Sequence, residues 1–169
     1  MPEFKIVQIV DGTNKAQVEQ FVTLMQHMYD YHATLHDDWK TRPGWQSNSQ
    51  GWINRAAGGD EFFFALAYPV DENGEEMLER PAGYITGTFH YEAPLFLQHR
   101  FGYIADLWVE EAYRGGGAAR LLLENAINWF KQQGVNRVQL EVDVNNALGQ
   151  HFWEKAGFEP FEIVMRKDI

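Results

Sequence analysis

The stretch "YIADLWVEEAYRGGGAARLLLENAINWF", residues 103–130, determines how this 169-residue chain is interpreted. It begins as a β-rich run and continues as a helix, whose apolar residues recur at three- and four-residue spacing from Ala118 to Phe130. Three glycines, Gly115 to Gly117, stand where that helix begins, although each costs about 1 kcal/mol relative to alanine inside a helix. The glycines at this junction therefore need an explanation.

A glycine-rich helix N-terminus is well suited to binding a phosphate group. The first N–H groups of a helix lack partners and carry partial positive charge, so they attract anions. Glycines leave these groups accessible, and Arg114 directly before them adds a cation that suits phosphate oxygens. A flexible turn that binds nothing would have the same glycines, and the residues alone leave both interpretations open. The P-loop pattern GxxxxGK[ST] and the dinucleotide pattern GxGxxG are both absent.

The remainder of the chain predicts a mixed α/β architecture. "FKIVQIV" is a first strand, and a helix follows to about His36 with Asn14 placed as its N-cap. A shorter helix near residues 52–57 precedes "EFFFALAYPV" and "PAGYITGTFHYE", which predict a long hairpin. "RVQLEVDV" (137–144), "ALGQHFWEKAG" and "FEIVMRKDI" (161–169) predict a strand, a helix and a last strand. The order β-α-α-β-β-β-α-β-α-β predicts a single α/β (α+β) domain, residues 1–169, with a mixed, mostly antiparallel sheet flanked by helices.

Composition narrows the classes of function. There are no cysteines, which excludes disulfides, thiolate metal sites and a cysteine nucleophile, and the two serines lie outside any GxSxG setting. The formal net charge of −10 disfavours nucleic acid and anionic membranes and favours a cationic partner, although acidity for solubility is also common. No apolar run has the length of a membrane helix, and the start "MPEFKIVQIV" lacks a signal-peptide pattern, so a cytoplasmic protein is expected.

Two motifs resemble a known family. "YIADLWVEEAYRGGGAARLLLENA" resembles the acetyl-CoA-binding motif of the GNAT acetyltransferase superfamily, a strand and an acidic turn followed by R/Q-x-x-G-x-G/A at the head of a helix. Its three defining places are occupied by Arg114, Gly117 and Ala119. Further along, "NNALGQHFWEKAGFEP" resembles the family's second signature, which includes Asn146 and Trp153. The resemblance covers Gly102 to about Pro160 and implies the GNAT-like acyl-CoA N-acyltransferase fold.

The resemblance implies a site for acetyl-CoA as cosubstrate, without a metal. The N–H groups at the glycines would hold the CoA diphosphate, and strands 103–109 and 137–144 would separate to admit the pantetheine arm. Asn146 would hydrogen-bond that arm, and a backbone N–H near Leu107 or Trp108 would polarise the acetyl carbonyl. The implied cofactor-binding residues are Leu107, Trp108, Val109, Arg114, Gly115, Gly116, Gly117, Ala118, Ala119, Asn146 and Trp153.

The resemblance also implies direct acetyl transfer to an amine, without an acyl-enzyme. A protonated amine must lose a proton before it attacks, so a base is needed. Relatives often carry a glutamate base where this chain has Ala105, and a tyrosine acid where it has Trp153, whose indole N–H does not usefully ionise. An ordinary strand-end hydrogen bond or ion pair would also account for the neighbouring Asp106. The candidates are Asp106 as base, with Glu92 and Glu141 as weaker candidates, and Tyr103 or another group as acid, unless the departing thiolate takes its proton from solvent.

The acceptor side is predicted from the first helix and the loop after it. Carboxylates stand among aromatic residues in "YDYHATLHDDWKTRPGWQ", which suits a cationic amine by charge pairing and cation–π contact. A solvated acidic helix end would have the same composition. His32 and His36 have the spacing of a metal pair, but no HExxH pattern accompanies them and no metal is expected. The candidate acceptor-binding residues are Tyr31, Asp37, Asp38 and Trp39.

The function implied is an acetyl-CoA-dependent N-acetyltransferase that acts on a primary amine of a small, cationic acceptor. The alternative from another class is an acyl-CoA-binding sensor or interaction module with weak catalysis, which Ala105 and Trp153 would favour. A nucleotide-phosphate binder is a third alternative. No nucleic-acid or membrane partner is expected, and a homodimer stays open because many members of the family dimerise.

Overall fold

The computed structural model describes residues 3–97 and 99–169, so the first two residues of the start "MPEFKIVQIV" lie outside the described residues. Within this part of the chain there are five strands and four α-helices. The strands are β1 (Phe4–Gln8), β2 (Phe62–Pro69), β3 (Gly83–Tyr91), β4 (Arg100–Val109) and β5 (Val138–Gln139). The helices are α1 (Lys15–Leu35), α2 (Trp45–Ala56), α3 (Ala118–Gln132) and α4 (Ala147–Lys155). No described helix combines the length and apolar character that crossing a bilayer requires.

The sheet follows the chain, with the strand order β1-β2-β3-β4-β5. β1 to β4 pair antiparallel, and β5 runs parallel to β4. The parallel step uses α3 as its crossover connection, because parallel neighbours cannot be joined by a tight turn. The α3 side chains pack on one face of the sheet, and α1 and α2 pack on the other. This mixed, mostly antiparallel sheet flanked by helices confirms the predicted fold class.

Alternation along β2 and β3 divides the core between the two faces of the sheet. Ile85 joins the cluster around α3, whereas Phe64 and Tyr84 join the cluster around α1. The ring of Tyr84 lies 4.6 Å from that of Phe21 on α1, measured between centroids. Full burial of a large apolar side chain contributes about 1.5–3 kcal/mol. The two layers therefore hold β3, and through its pairing β4, firmly between helices.

Two glycines allow α3 to approach the sheet closely. A Cβ at Gly102 of β4 would lie 2.7 Å from the ring of Phe130, and one at Gly87 of β3 would lie 2.9 Å from it. Phe130 is fully buried on α3, so its ring has little room to move away. The glycines therefore set how closely α3 packs on β3 and β4.

A β-bulge interrupts β4. Thr86 of β3 pairs with Asp106, but the next residue, Gly87, pairs with Ile104, so Ala105 is left without a partner. Beyond the bulge, Leu107 packs toward the α3 cluster and Trp108 toward the α1 cluster. Side chains two residues apart in a strand share a face, so Asp106 lies on the same face as Trp108.

The last two predicted strands differ from the structure. Strand 137–144 is reduced to β5, which pairs only with Gly102 and Tyr103, because the segments diverge beyond that point. Residues 161–169 contain no strand, although a strand was predicted there. Their apolar side chains are exposed, including Ile163 at 89%, because no neighbouring strand pairs with this segment.

The helices agree better with the sequence. α1 ends at Leu35, next to the predicted end, and the Asn14 side chain accepts a hydrogen bond from the Gln17 N–H at 3.3 Å, as the cap predicts. The prediction for α2 was wrong at its start, since the helix begins at Trp45 rather than near residue 52. Trp45 and Trp52 both pack against the α1 cluster, and this packing outweighs the weak helix preference of the "SNSQG" segment.

Candidate active site

A cavity of about 420 Å³ lies between the diverging ends of β4 and β5. The pairing of the two strands stops at Tyr103 and Gln139, and beyond this point residues 104–109 and 140–143 line the cavity. The first turn of α3, the cavity-facing residues of α4 and three residues of α1 complete the walls. The separation of the two segments agrees with the separation that the resemblance implies.

The N-terminus of α3 forms one end of this cavity. Gly117 is its N-cap, no side chain caps the helix, and the N–H of Leu121 is the first to bond within it, donating to the Gly117 oxygen at 3.1 Å. Within the described residues, the N–H groups of residues 118–120 therefore have no acceptor. Gly115 and Gly117 have φ of 78° and 96°, and a Cβ at either position would meet no atom within 4 Å. This end is an open helix N-terminus with the features that suit an anion.

Gly116 differs from its neighbours. Its N–H donates to the Tyr113 oxygen at 3.3 Å, and the residue does not line the cavity. Sequence reasoning placed all three glycines in the phosphate site, and the structure brings only Gly115 and Gly117 to the wall. The middle glycine instead closes the turn that leads into α3.

Arg114 lies at the same end, with its side chain folded onto β4. Its Nε donates to the Val109 oxygen at 3.0 Å, and its guanidinium carbon lies 4.7 Å from the centroid of a Trp108 ring. These contacts leave the two terminal nitrogens of the guanidinium for a phosphate. The side chain therefore holds β4 to the glycine turn as well as adding positive charge.

The pairing of β4 with β3 decides which amides of β4 face the cavity. The N–H of Glu110 donates to the Ala82 oxygen at 2.8 Å, on the β3 side. Successive amides of a strand point to opposite edges, so those of Val109 and Leu107 point away from β3, toward the cavity. The amide of Trp108 points to β3. Of the two amides considered for the acetyl carbonyl, only that of Leu107 is directed at the cavity.

Asp106 brings a carboxyl group to the cavity wall. Burial raises the pKa of this carboxyl from 3.8 to about 7. Its charge in turn acts on two buried phenols, since it adds to the burial that raises the pKa of Tyr29 and of Tyr84. A carboxyl with a pKa near 7 can accept a proton at neutral pH and release it again.

Two further carboxyl groups and two aromatic rings also line the cavity. Glu141 and Asp143 line the cavity after β5, and Tyr31 and His32 line it from α1. A hydrogen bond from the Asn145 backbone, followed by one from Trp39, lowers the pKa of Asp143, so this carboxyl stays ionised at neutral pH. The cavity therefore offers unpaired N–H groups at its glycine end and carboxylates elsewhere.

His32 is neutral at pH 7 because burial lowers its pKa, against an opposing effect of the Asp143 carboxylate. Its ring lies 5.8 Å from that of Tyr31 and 6.2 Å from that of Trp39, measured between centroids. Among the described residues, no group of three or more acidic or histidine side chains is placed to hold a metal ion. The His32 ring is instead a polar, neutral part of the wall.

The predicted cofactor-binding residues other than Gly116 all line the cavity. Trp153 is among them, and its ring packs between those of Phe152 and Phe158, with centroids 4.9 and 5.3 Å away. Asn146 lines the cavity at the start of α4. The structure thus brings together two motifs that lie about 30 residues apart in the sequence.

Two of the predicted catalytic residues lie off the wall. Glu92 accepts a hydrogen bond from Arg137 at 3.4 Å, and it lies six residues beyond Thr86, the partner of Asp106. At 3.4 Å per residue this is about 20 Å along β3, so the structure does not bring Glu92 to the cavity. Tyr103 stacks on His90 with 3.9 Å between ring centroids and does not line the cavity either.

Tyr103 nevertheless stays close to the carboxyl groups of the site. Burial raises the pKa of its phenol, and the charges of Glu141 and Asp106 raise it further, in that order. The phenol is therefore protonated at neutral pH, so it could serve as an acid but not as a base.

The predicted acceptor residues are divided by the structure. Tyr31 lines the cavity, and Trp39 contacts its rim by donating from Nε1 to Asp143 at 2.7 Å. Asp37 and Asp38 lie in a short 3-10 helix after α1, where they pair with Lys40 and Arg166 respectively and do not line the cavity. The acidic wall expected from these two residues is provided by the segment after β5.

Sequence reasoning missed His32 and Asp143 as site residues. The alternation in "RVQLEVDV" places Glu141 and Asp143 on one face, and this pattern could have identified Asp143 as a neighbour of the candidate Glu141. His32 follows Met28 by one helical turn, and both line the cavity. The helical spacing indicated that they share a face, but not that the face borders a cavity.

Comparison with known proteins agrees with this geometry. The model of the acetyltransferase (GNAT) family matches residues 23–158. The chain therefore belongs to the acetyltransferase (GNAT) family, which confirms the resemblance seen in its two motifs.

Individual relatives are similar over different lengths. N-alpha-acetyltransferase 30 of Schizosaccharomyces pombe is 37% identical over 57 residues, which are 34% of this chain and 38% of that protein. The aligned part thus spans well under half the length of that relative.

Two solved structures are similar over nearly the whole chain. A mutant of the BH1408 protein from Bacillus halodurans has a TM-score of 0.75 at 21% identity, covering 99% of both chains. Aminoglycoside N-acetyltransferase AAC(6')-Iy, in complex with CoA, has a TM-score of 0.72 at 16% identity, covering 100% of this chain and 96% of that chain. At these identities the likeness shows that the fold is shared.

Proposed function

We propose that this chain is an acetyl-CoA-dependent N-acetyltransferase that transfers an acetyl group directly to a primary amine of a small, cationic acceptor. One observation carries the proposal: a single cavity joins an uncapped helix N-terminus to a carboxyl whose pKa lies near 7. Membership of the GNAT family and the shared fold with a CoA-bound aminoglycoside acetyltransferase support it. Residues 1–169 would act as one N-acetyltransferase domain.

The glycine end of the cavity fits the diphosphate of CoA. The N–H groups of residues 118–120 have no acceptor within the described residues, and the space where Cβ atoms of Gly115 and Gly117 would stand is empty. Arg114 adds positive charge beside them. The cavity-facing edge at Leu107 and Val109 would hold the pantetheine arm, which supplies the acetyl group as a thioester when bound.

The acidic part of the cavity fits an alkylammonium acceptor. Asp106 would accept the proton that the ammonium must lose, because its pKa near 7 leaves a large fraction ionised at neutral pH. Glu141 and Asp143 would hold the cation, with the ring of Tyr31 beside them. The Leu107 amide would stabilise the negative charge that develops on the carbonyl oxygen. Tyr103 remains the candidate donor to the departing sulfur, because Trp153 cannot ionise usefully.

An acyl-CoA-binding sensor on the same fold is the second candidate. Ala105 and Trp153 stand at two places where the resemblance leads one to expect a base and an acid. Such a protein would bind acyl-CoA at the same helix terminus but would turn it over slowly with every amine.

Release of the free CoA thiol from acetyl-CoA, measured with a panel of amines, distinguishes these functions. The panel should pair cationic acceptors, such as polyamines and aminoglycosides, with neutral amines of similar size. We expect amine-dependent release that favours the cationic acceptors. Tight binding of acetyl-CoA without release across the panel would support the sensor instead. A thermal shift with ATP but none with CoA would contradict both.

A further inference from the structure

Asn146 lines the cavity as the N-cap of α4, and its side-chain oxygen is fully used by the protein. Oδ1 accepts the N–H of Gly149 at 2.9 Å and the hydroxyl of Tyr31 at 3.1 Å. A backbone N–H can only donate, so this contact fixes which end of the amide is oxygen. Within the described residues no acceptor pairs with Nδ2. The amide therefore offers a ligand its two N–H donors.

Gly149 makes room for that nitrogen. It lies within α4, where alanine would be the better helix former, and its φ is not positive. A Cβ at this position would lie 2.6 Å from Nδ2 of Asn146. The backbone conformation does not require glycine here, but the position of the amide does. Gly149 thus contributes twice, through the hydrogen bond to Oδ1 and through the space beside Nδ2.

Tyr31 holds the same amide from the opposite element. It projects from α1, and its ring lies 5.6 Å from that of Trp108 and 5.8 Å from that of His32, measured between centroids. These ring contacts restrict where its hydroxyl can lie. Without the hydroxyl, Oδ1 would keep only the Gly149 contact and the amide could rotate more freely.

We propose that Tyr31 and Gly149 are positioning residues, which hold the Asn146 amide so that Nδ2 donates a hydrogen bond to a carbonyl oxygen of the acyl-CoA arm. This inference rests on the proposed function, since the arm is its cosubstrate. The pantetheine arm contains two amide groups, and each has a carbonyl oxygen that can accept this bond. Tyr31 therefore acts on the binding of acyl-CoA from the wall that was assigned to the acceptor.

Three variants separate these contributions. Asn146→Asp keeps an oxygen for the N–H of Gly149 and for Tyr31, and aspartate caps a helix as well as asparagine does, but it places an anionic oxygen where Nδ2 was. Gly149→Ala improves the helix and pushes the amide aside. Tyr31→Phe removes only the hydroxyl. The matched control is Asn145→Asp, which adds the same charge one residue away.

The affinity for CoA is measured by calorimetry, together with the melting temperature and, with an accepted amine, kcat and the KM for acetyl-CoA. We expect Asn146→Asp to weaken CoA binding by about tenfold or more, because the N–H donor is replaced by an anionic oxygen that repels the carbonyl oxygen of the arm. Gly149→Ala and Tyr31→Phe should each weaken it by about three- to tenfold, without a lower melting temperature for the alanine variant. The loss should appear in KM more than in kcat, and Asn145→Asp should bind as the wild type does.

A double variant tests whether Tyr31 acts through Asn146. Adding Tyr31→Phe to Asn146→Ala should cause no further loss of affinity, whereas independent effects would add. Equal CoA affinity in Asn146→Asp and wild type would overturn the donor role, and full affinity in Gly149→Ala or Tyr31→Phe would overturn the positioning role. If the wild type itself binds no CoA, the proposed function fails, and that outcome is distinct from either of these.

Discussion

Replacing Asp106 with asparagine should make the protein more stable and less active. The shape of the side chain is kept, but it can no longer ionise. In the folded protein burial raises the pKa of Asp106 from 3.8 to about 7, while in the unfolded chain the carboxyl titrates near 3.8. The unfolded state therefore releases its proton first as pH rises, so the wild type loses stability between about pH 4 and pH 7. The asparagine variant does not lose this stability, because its side chain does not titrate.

The size of the effect follows from the two pKa values. At 1.36 kcal/mol per pKa unit, the difference between 3.8 and about 7 corresponds to at most about 4 kcal/mol. At pH 5 the wild type has already lost about a third of this stability, and water in the cavity makes the loss above pH 5 smaller than the two pKa values imply. We therefore expect the advantage of the variant to grow by about 2 kcal/mol between pH 5 and pH 8.5. For a chain of this length that is about 4–8 °C in melting temperature.

Activity should change in the opposite direction. Loss of a general base lowers kcat by about 10²- to 10³-fold, and the variant should lose the rise of kcat/KM through pH 7 that the wild type shows. Asp143→Asn is the control, because hydrogen bonds lower the pKa of Asp143 and its ionised form stabilises the fold. It should therefore lose stability at neutral pH. An Asp106→Asn variant with the same melting-temperature difference at both pH values and an unchanged pH profile would refute the reasoning.

Three further variants test other parts of the structure. In a thermal-shift assay, acetyl-CoA at 100 times its Kd should stabilise the wild type by about 2.7 kcal/mol, and Gly117→Glu should abolish this stabilisation. Gly117→Ala has the same backbone strain but adds no charge, so it should keep most of the stabilisation. Gly102→Ala should cost about 1–3 kcal/mol in urea unfolding, because its Cβ meets the buried ring of Phe130; an unchanged midpoint would show that the ring can move. His32→Asn should raise the KM for a cationic acceptor about three- to tenfold and leave the Kd for CoA within twofold. If KM and Kd rise by the same factor, His32 does not act specifically on acceptor binding.

The open helix terminus at the glycines was predictable because its signals are local. The glycines, the arginine before them and the amphipathic run after Ala118 are consecutive, and each has a direct backbone consequence. The N-cap of α1 was predictable for the same reason. The bulge at Ala105 was not, because it depends on the register between β3 and β4, and no residue of β4 marks it.

The remaining differences arise from contacts between distant segments. Alternation predicts a strand, but a strand forms only beside a neighbour that pairs with it, and residues 161–169 have none within the described part of the chain. Likewise, the composition around Asp37 and Asp38 predicted an acidic wall, but these two carboxyls lie outside the cavity, and Glu141 and Asp143 line it. The pKa of Asp106 depends on burial by several elements, which no local pattern contains.

The bulge at Ala105 places two residues on opposite faces that a regular strand would place on one face: Ile104 packs in the α3 layer, and Asp106 lies on the α1 side with Trp108. Deleting Ala105 would make Ile104 and Asp106 neighbours in a regular ladder with unchanged partners in β3, so the parity of the residues after it, including the Asp106 carboxyl and the Trp108 amide, would not change. A substitution at the exposed Ala105 would leave that parity intact. Position 105 should therefore tolerate both exchange and loss, whereas the loss of Leu107 or Trp108 would turn the residues after it to the opposite face of the sheet.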